Sequence, residues 1–217
     1  MEDRISEFLY LELSNHPIDD YARDRVPAVM KLPGVVRATW WRNQKPGRTE
    51  FARTIDEFAT LGIYEVREEF AVPPALAGIR GIHFRHYGRP GQGILTGKPT
   101  LGISLVLISP RTAAGVQALR DWGDFVHIRY IAAAAVEGFT MITVYENTSG
   151  GSPRFLHLYE LDTPDAEEAF QRMPRTTRDR QIGSDRALWK EWSGHDQLVI
   201  DYVNSFTRIG ERRAGAA

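Results

Sequence analysis

The chain has 217 residues, of which 42% are hydrophobic and 25% charged, and its formal net charge is -1. This is the composition of an ordinary globular protein, and without a basic excess it gives no reason to expect a nucleic-acid partner. The absence of cysteine excludes disulfides, thiolate catalysis and cysteine-ligated metal centres.

The sequence also indicates where the protein works. Its first residues lack the charged and then apolar pattern of a signal peptide, and no apolar run approaches the ~18 residues that cross a bilayer. We therefore expect a cytoplasmic protein that makes no membrane contact.

The first half of the chain predicts a strand, a helix and two further strands, followed by a segment that is either a fourth strand or a loop. Alternating or β-branched apolar residues mark the strands, and the Pro33-Gly34 pair ends the helix. A helix before the fourth strand is only weakly indicated. In chain order, the predicted elements are the strand 8–14, the helix 19–32, the strand 35–42, a strand within 57–68, and the segment 79–87.

The first strand carries candidate ligand contacts on one of its faces. Side chains alternate along a strand, so the leucines at 9, 11 and 13 share one face, while Tyr10 and Glu12 lie on the other. A carboxylate between aromatic side chains lies either at a sheet edge or in a pocket. Tyr10 and Glu12 are therefore candidates for substrate binding.

A segment rich in glycine and proline, residues 88–99, predicts a linker between two halves. It contains neither G-x-G-x-x-G nor a phosphate-binding G-K-[ST] loop in the right context, so it does not indicate a nucleotide site. We place the domain boundary here. The N-terminal half then covers residues 1–90 and the C-terminal half covers residues 98–217.

The second half repeats the order of the first and adds a second helix. Strands 139–146 and 155–161 flank a turn-forming segment and predict a hairpin, and a helix follows from about Pro164. The remaining elements are a strand at 101–109, a largely helical stretch at 112–138 and a last strand at 197–203. Strand-helix-strand-strand-helix-strand is the ferredoxin-like order, so the sequence predicts an α+β fold of two such halves whose sheets pack together.

The first helix of each half resembles the EthD-like proteins of the dimeric α+β barrel superfamily, where it carries W-Y-D-x-E-H-x-P and ends in P-G-F. The second half has Trp122, Asp124 and His127 at the family's spacing. It departs from the pattern at Arg129, where the family has proline.

The first half keeps other parts of the pattern, namely Tyr21, Pro27 and the sequence Leu-Pro-Gly at 32–34. It has Arg25 where the family has histidine. We infer that the second half retains the polar site and that the first half serves as a structural partner, although either pocket could be active.

The resemblance implies a barrel made from two four-stranded antiparallel sheets with helices outside, which a tandem chain can form alone. It also allows a homodimer. Members of the superfamily include cofactor-independent monooxygenases, polyketide cyclases, muconolactone isomerases and, in other branches, haem proteins. Their small-molecule sites commonly lie between the sheet and the helices.

His157 and Tyr159 are the first candidates for catalysis. They are two residues apart on one strand, so their side chains leave the same face, beside Phe155. An imidazole next to a phenol can transfer protons near neutral pH, and the neighbouring aromatic residues would bind an apolar ring. The position of His157 is also similar to that of a pocket histidine in plant polyketide cyclases of the superfamily. The alternative is a hydrogen-bonded core histidine.

His127 is the third catalytic candidate, with Trp122 and Asp124 as candidate substrate contacts. Asp124 and His127 are three residues apart, so on a helix they share a face, and the acid could orient the imidazole or raise its pKa. The alternative is a pair on the helix surface.

Three residues of the first half are further candidates for substrate binding: Trp40 and Arg42 at the end of a strand, and His83. Arg42 could hold a carboxylate or phenolate, although an exposed arginine at a strand end is the simpler interpretation. Trp189 and Trp192 are three residues apart on a helix and are interpreted as core or subunit contacts.

The histidines and carboxylates are too scattered for the three to four ligands of a stable zinc site, so we expect no metal and no cofactor. The sequence therefore predicts a cofactor-independent enzyme of lyase, isomerase or cyclase type that performs acid-base chemistry on an apolar, aromatic substrate. Two alternatives stay open. One is a cofactor-free monooxygenase of electron-rich aromatics, and the other is a module that binds haem or another small molecule without catalysis.

Overall fold

The computed structural model describes residues 6–215, so the outermost residues of both predicted halves, 1–5 and 216–217, lie outside the described residues. Nine strands form one antiparallel sheet. They are β1 (Phe8–Ser14), β2 (Val35–Asn43), β3 (Thr60–Val66), β4 (Ile79–His86), β5 (Gln92–Gly93), β6 (Gly102–Pro110), β7 (Phe139–Asn147), β8 (Phe155–Leu161) and β9 (Leu198–Arg213).

Eight of these strands close into a barrel. The order in the sheet is β4-β1-β3-β2-β9-β6-β8-β7-β5, and an additional pairing of β4 with β7 closes the ring. Each set of four, β4-β1-β3-β2 and β9-β6-β8-β7, has the same internal order, as expected for two ferredoxin-like halves. The fold class predicted from the sequence is confirmed: the protein is α+β, with an antiparallel barrel and outer helices.

The helices pack on the outside of the barrel. Helix α1 comprises Ile18–Asp20, the π-helical segment Tyr21–Arg25 and Val26–Met30. Helix α2 comprises Val116–Trp122, the π-helical segment Gly123–Ile128 and Arg129–Ala133. Helix α3 is Ala166–Thr177, extended by a π-helical turn at Arg178–Ile182, and α4 is Arg186–Ser193.

Three apolar clusters follow from this layering. Leucines 9, 11 and 13 point into the barrel, where they meet apolar side chains of both halves, including Leu105 and Leu158. The opposite faces of the strands pack against α1 in the first half and against α2, α3 and α4 in the second. Both sides of the central strands are therefore buried, which removes much apolar surface from water.

Several boundaries differ from the sequence predictions. Strand β9 extends to Arg213, ten residues beyond the predicted end at 203, because its second part pairs with β2 and joins the halves. Helix α3 begins at Ala166 rather than at Pro164. In the first half no helix forms between β3 and β4. Residues 67–78 are irregular, so the helix that the sequence weakly indicates before the fourth strand does not form in this segment.

The predicted boundary between the halves falls in the segment before β6, and it stays a prediction. Part of this segment is the short strand β5, which pairs with β7. Within residues 6–215, no helix is both long and apolar enough to cross a membrane.

Candidate functional site

A cavity of about 310 Å³ lies between the outer face of the second half of the barrel and helices α2, α3 and α4. Its volume is at the lower end of the ~300–1,000 Å³ range of ligand pockets. The sheet contributes side chains from β6, β8 and β9. Five aromatic residues form much of its wall: Phe51, Trp122, Phe170, Trp189 and Trp192.

His157 lies on the floor of this cavity and is 2% exposed. No hydrogen bond to either of its ring nitrogens is found among residues 6–215. Burial, reinforced by the nearby His127, lowers the pKa of His157 from 6.5 to about 3. The imidazole is therefore neutral at physiological pH and offers one donor and one acceptor to a ligand.

His127 lies on α2 in a stack of rings. Its centroid is 5.1 Å from that of Trp122 and 5.2 Å from that of Trp192. Nδ1 is 2.9 Å from the Trp192 carbonyl oxygen, and because a carbonyl only accepts, Nδ1 carries the hydrogen. Nε2 of the neutral ring is then an acceptor. Burial lowers the pKa of His127, while the Trp192 carbonyl opposes this by stabilising the charged form.

The stack is held from both sides by backbone groups. The Trp192 indole N–H donates to the His127 carbonyl at 3.1 Å, and the Trp122 indole N–H donates to the Glu191 carbonyl at 2.7 Å. These bonds tie α2 to α4. They hold the aromatic wall next to His157 in place, and neither of them involves a side chain of the cavity floor.

Two hydroxyl groups share the floor with His157. Ser104 and Tyr159 are paired across β6 and β8, so their side chains leave the same face as neighbours. Ser104 is 1% exposed, and its Oγ has no hydrogen-bond partner in the described structure. Burial raises the pKa of Tyr159, so its phenol stays protonated and can donate.

The π-helical segment of α2 brings backbone close to the imidazole of His157. A Cβ added at Gly123 would lie 3.0 Å from Cε1 of His157 and 3.4 Å from Nε2. Glycine therefore allows the helix backbone to approach this edge of the ring, and any larger residue would displace the imidazole. Widened helical turns of this kind occur frequently at functional sites.

The rim of the cavity comes from the first half, from the loop between β2 and β3. Arg48 of this loop is ion-paired with Glu167 of α3, and its guanidinium carbon lies 4.7 Å from the Phe170 ring centroid. Phe51 makes an edge contact with Phe170, with centroids 6.2 Å apart. Gln44 accepts from the Glu167 backbone N–H and donates to the Pro164 carbonyl. The second-half cavity is thus completed by first-half residues.

The corresponding place in the first half is filled. Strands β3 (T-L-G-I-Y-E-V) and β8 (F-L-H-L-Y-E-L) match residue by residue, with Tyr64 in the place of Tyr159 and Gly62 in the place of His157. A Cβ at Gly62 would lie 1.9 Å from the Tyr21 hydroxyl, so Tyr21 occupies the room that glycine leaves.

The group that fills this place is a buried ion pair with hydrogen-bonded tyrosines. Glu12, which is 0% exposed, accepts from Arg25 Nε at 3.1 Å and from the Tyr21 hydroxyl at 2.8 Å. The Tyr21 and Tyr64 hydroxyls are 2.7 Å apart. Strand β1 lies between β4 and β3, so Glu12 is not at a sheet edge, and its neighbourhood is a filled network rather than an open pocket.

The structure brings together four of the residues predicted from the sequence: His157, Tyr159, His127 and Trp122 all line the cavity. The other predicted contacts do not line the cavity. In the first half, Tyr10 and Glu12 belong to the filled network, Trp40 packs on the apolar cluster, Arg42 is exposed on β2 and His83 stacks on Phe8. In the second half, Phe155 lies in the apolar cluster and Asp124 is ion-paired with Arg89.

The predicted coupling of Asp124 to His127 is wrong. Asp124 is ion-paired with Arg89 at 2.6 Å and accepts from the Tyr87 hydroxyl at 3.3 Å. His127 is bonded to the Trp192 carbonyl instead. The physical reason is the π-helical turn at Gly123–Ile128, in which residues three apart no longer lie above one another. Burial raises the pKa of Asp124, and Arg89 opposes this rise.

Sequence reasoning missed several lining residues. Trp189 and Trp192 are core contacts, as the sequence predicts, but both also line the cavity. Ser104 and Arg48 received no role, because a single serine in an apolar strand and an arginine in a loop carry no periodic signal. The residue-level match of β3 with β8 is a signal that could have indicated the difference between the two halves, since Gly62 has the position in β3 that His157 has in β8.

Haem, which the resemblance allows, does not fit this cavity. Arg48 is the one cationic side chain among the described residues that line it, and Glu167 and Glu50 already pair with it. The two haem propionates would therefore meet a rim of net negative charge. Over residues 6–215, no group of three or more histidine, aspartate or glutamate side chains is arranged to hold a metal ion.

Solved structures show which known proteins share this architecture. The sequence matches no family model and no curated protein. An anthrone oxidase-like protein is similar at a TM-score of 0.58 and 15% identity, over 100% of this chain and 99% of that chain. A candidate monooxygenase from Fusobacterium nucleatum has a TM-score of 0.54 and 5% identity, with coverages of 97% and 95%.

A mutant chlorite dismutase from Candidatus Nitrospira defluvii is similar at a TM-score of 0.51 and 10% identity, over 95% of this chain and 93% of that chain. At such identities the likeness concerns the fold, not the activity. The similarity extends over nearly the whole length of all three structures, and the barrel closes through β4 and β7. The chain therefore has the fold of the dimeric α+β barrel superfamily, with both halves of the barrel supplied by one polypeptide.

Proposed function

We propose that this protein is a cofactor-independent enzyme that removes a proton from a flat, apolar aromatic substrate bound in the second-half cavity. The observation that carries this proposal is His157, a neutral imidazole without a hydrogen-bond partner among residues 6–215, on the floor of a cavity walled by aromatic rings. Buried polar groups are normally paired, and an unpaired one that faces a cavity is available to a ligand group.

The low pKa of His157 applies when no charged ligand is bound in the cavity. When the imidazole takes a proton from a phenol or an activated C–H, an imidazolium and a substrate anion form together. Their attraction in a cavity that excludes water raises the pKa of His157 and stabilises the pair. Tyr159, protonated because it is buried, can donate to the developing oxyanion.

His127 can assist in this proton transfer. Because Nδ1 donates to the Trp192 carbonyl, its Nε2 is available as an acceptor. The proton leaves the substrate, and the electron pair stays on it as an enolate or phenolate. Return of the proton to a different atom gives an isomerase, and loss of a leaving group or ring closure gives a lyase or cyclase.

A second candidate function is a cofactor-free monooxygenase, and the full-length similarity to an anthrone oxidase-like protein favours it. The same anion would react with O₂ to form a peroxide adduct. After protonation, the hydroperoxide loses water, which takes the second hydrogen of the reacting CH₂ group and leaves a carbonyl at that carbon. Both candidates share the proton-removal step at His157.

Anthrone is a suitable probe, since it is a flat aromatic ketone with an acidic CH₂ group. We expect the protein to accelerate exchange of these hydrogens with D₂O under anaerobic conditions, measured by NMR. His157→Gln should slow the protein-dependent exchange by about 10²- to 10⁴-fold, the usual contribution of an acid-base group. His83→Gln, which removes a histidine outside the cavity, is the matched control.

Equal exchange rates in His157→Gln and the unmodified protein would disprove the proposed role of His157. Measurement of O₂ uptake then separates the two candidates. Uptake that depends on His157 identifies the monooxygenase, and exchange without uptake identifies the proton-transfer enzyme.

A further inference from the structure

We infer that Ser104 and Tyr159 bind an oxygen atom of the substrate, so that the substrate class is a neutral aromatic ketone or phenol with its oxygen directed at β6. This inference rests on the proposed function for the reaction, but its observations are separate. They concern where unpaired hydroxyl groups lie in the cavity and what charge surrounds the entrance.

A row of hydroxyl side chains crosses three neighbouring strands. Tyr159 on β8 is paired with Ser104 on β6, and Ser104 is paired with Ser205 on β9. The Oγ atoms of Ser104 and Ser205 are both buried and lack hydrogen-bond partners within the described chain. Of the two serines, Ser104 lines the cavity.

An unpaired hydroxyl is costly in a buried strand. Most buried side-chain oxygens are satisfied by protein or water, and leaving one unpaired lowers stability. In the next row on the same face, Val106 on β6 lies between His157 on β8 and Val203 on β9, so the hydroxyls lie at one end of a largely apolar surface. A ligand oxygen at this end would accept from Ser104 and Tyr159 together, next to the proton acceptor His157.

The charges at the rim indicate a neutral ligand. Arg48 is paired with Glu167 and faces Glu50, so two carboxylates surround one guanidinium. A carboxylate or phosphate on the ligand would be repelled there. A ketone or phenol carries its oxygen without charge until His157 removes the proton.

Binding of two matched probes tests this inference. Anthrone and 9,10-dihydroanthracene have the same tricyclic carbon skeleton and differ in the ketone oxygen. Trp122, Trp189 and Trp192 line the cavity, so quenching of tryptophan fluorescence reports binding. We expect anthrone to bind at least tenfold more tightly than the hydrocarbon, and Ser104→Ala to reduce this preference about tenfold, which corresponds to about 1.4 kcal/mol for the lost hydrogen bond.

Ser205→Ala is the matched control, because it removes an unpaired buried hydroxyl from the same row without changing the cavity lining. Neither alanine variant should lower the melting temperature of the free protein, since each removes an unsatisfied group. A structural role of Ser104 would instead lower the melting temperature and leave the ratio of the two affinities unchanged.

The outcomes separate this inference from the proposed reaction. If the unmodified protein shows no preference for the ketone, or binds neither probe, or if Ser104→Ala retains the preference, the inference is wrong. If Ser104→Ala loses the preference while His157→Gln exchanges anthrone hydrogens at the unmodified rate, the oxygen site stands and the proposed reaction fails.

Discussion

Replacing His157 by glutamine should make the protein less sensitive to acid. In the folded state, burial lowers the pKa of His157 to about 3, whereas its ordinary value is 6.5. Between these values the unfolded chain binds a proton at this residue and the folded protein does not. Lowering the pH through this window therefore favours unfolding, and the stability is fully present above pH 6.5.

The magnitude follows from the width of the window. Each pH unit below 6.5 costs about 1.4 kcal/mol, so at pH 5.0 His157 alone should have removed about 2 kcal/mol of stability relative to pH 7.5. Urea unfolding at both pH values, followed by tryptophan fluorescence, gives the free energies of unfolding. The unmodified protein should lose about 2 kcal/mol more than His157→Gln over this interval, whatever the absolute stability of the variant.

Tyr159→Phe is the control for disturbance of the cavity, because it alters the same floor without removing an imidazole. It should lose stability between pH 7.5 and 5.0 as the unmodified protein does. If His157→Gln loses as much stability as the unmodified protein, His157 is not held neutral by burial, and the basis for its role as a proton acceptor fails.

Three further predictions concern the two outer faces of the barrel. Arg25→Ala should lower the free energy of unfolding by about 3 kcal/mol in urea titrations, because it leaves the buried Glu12 carboxylate without its cationic partner; a loss below about 1 kcal/mol would contradict this. Gly123→Ala should weaken anthrone binding in fluorescence titrations, because the added Cβ would lie 3.0 Å from Cε1 of His157 and push the ring into the cavity; unchanged affinity would show that binding does not depend on the position of this ring. Tyr159→Phe should slow anthrone exchange in the NMR assay by tenfold or more, because the phenol stabilises the oxyanion; an unchanged exchange rate would contradict this role.

Local patterns in the sequence were sufficient for most of the fold. The hairpin of β7 and β8 was predicted because strand-forming residues flank a turn-forming segment, and both signals are local. The last strand was predicted too short, because its second part, 204–213, is rich in polar and charged residues and lacks an apolar alternation. Its pairing with β2 depends on barrel closure, which is a property of the whole chain.

Local geometry also allowed part of the site to be predicted. His157 and Tyr159 could be placed together because strand geometry fixes which side chains share a face. The position of Asp124 could not be predicted from helical spacing, because the π-helical turn changes that spacing and Arg89 attracts the carboxylate from a distant segment. The arrangement at the rim was likewise hidden, since contact between Arg48 and Glu167 joins residues far apart in the sequence.

Fusion of two barrel halves in one polypeptide has a consequence for how the protein could diverge. In a barrel built from identical subunits, one codon change alters both outer faces at once, so a mutation that fills one cavity fills the other. Here Gly62 and His157 occupy matching places but are encoded separately. Tyr21 and Glu12 can therefore fill the first-half place without any change at the second-half cavity, and the loop carrying Arg48 makes that cavity depend on the first half.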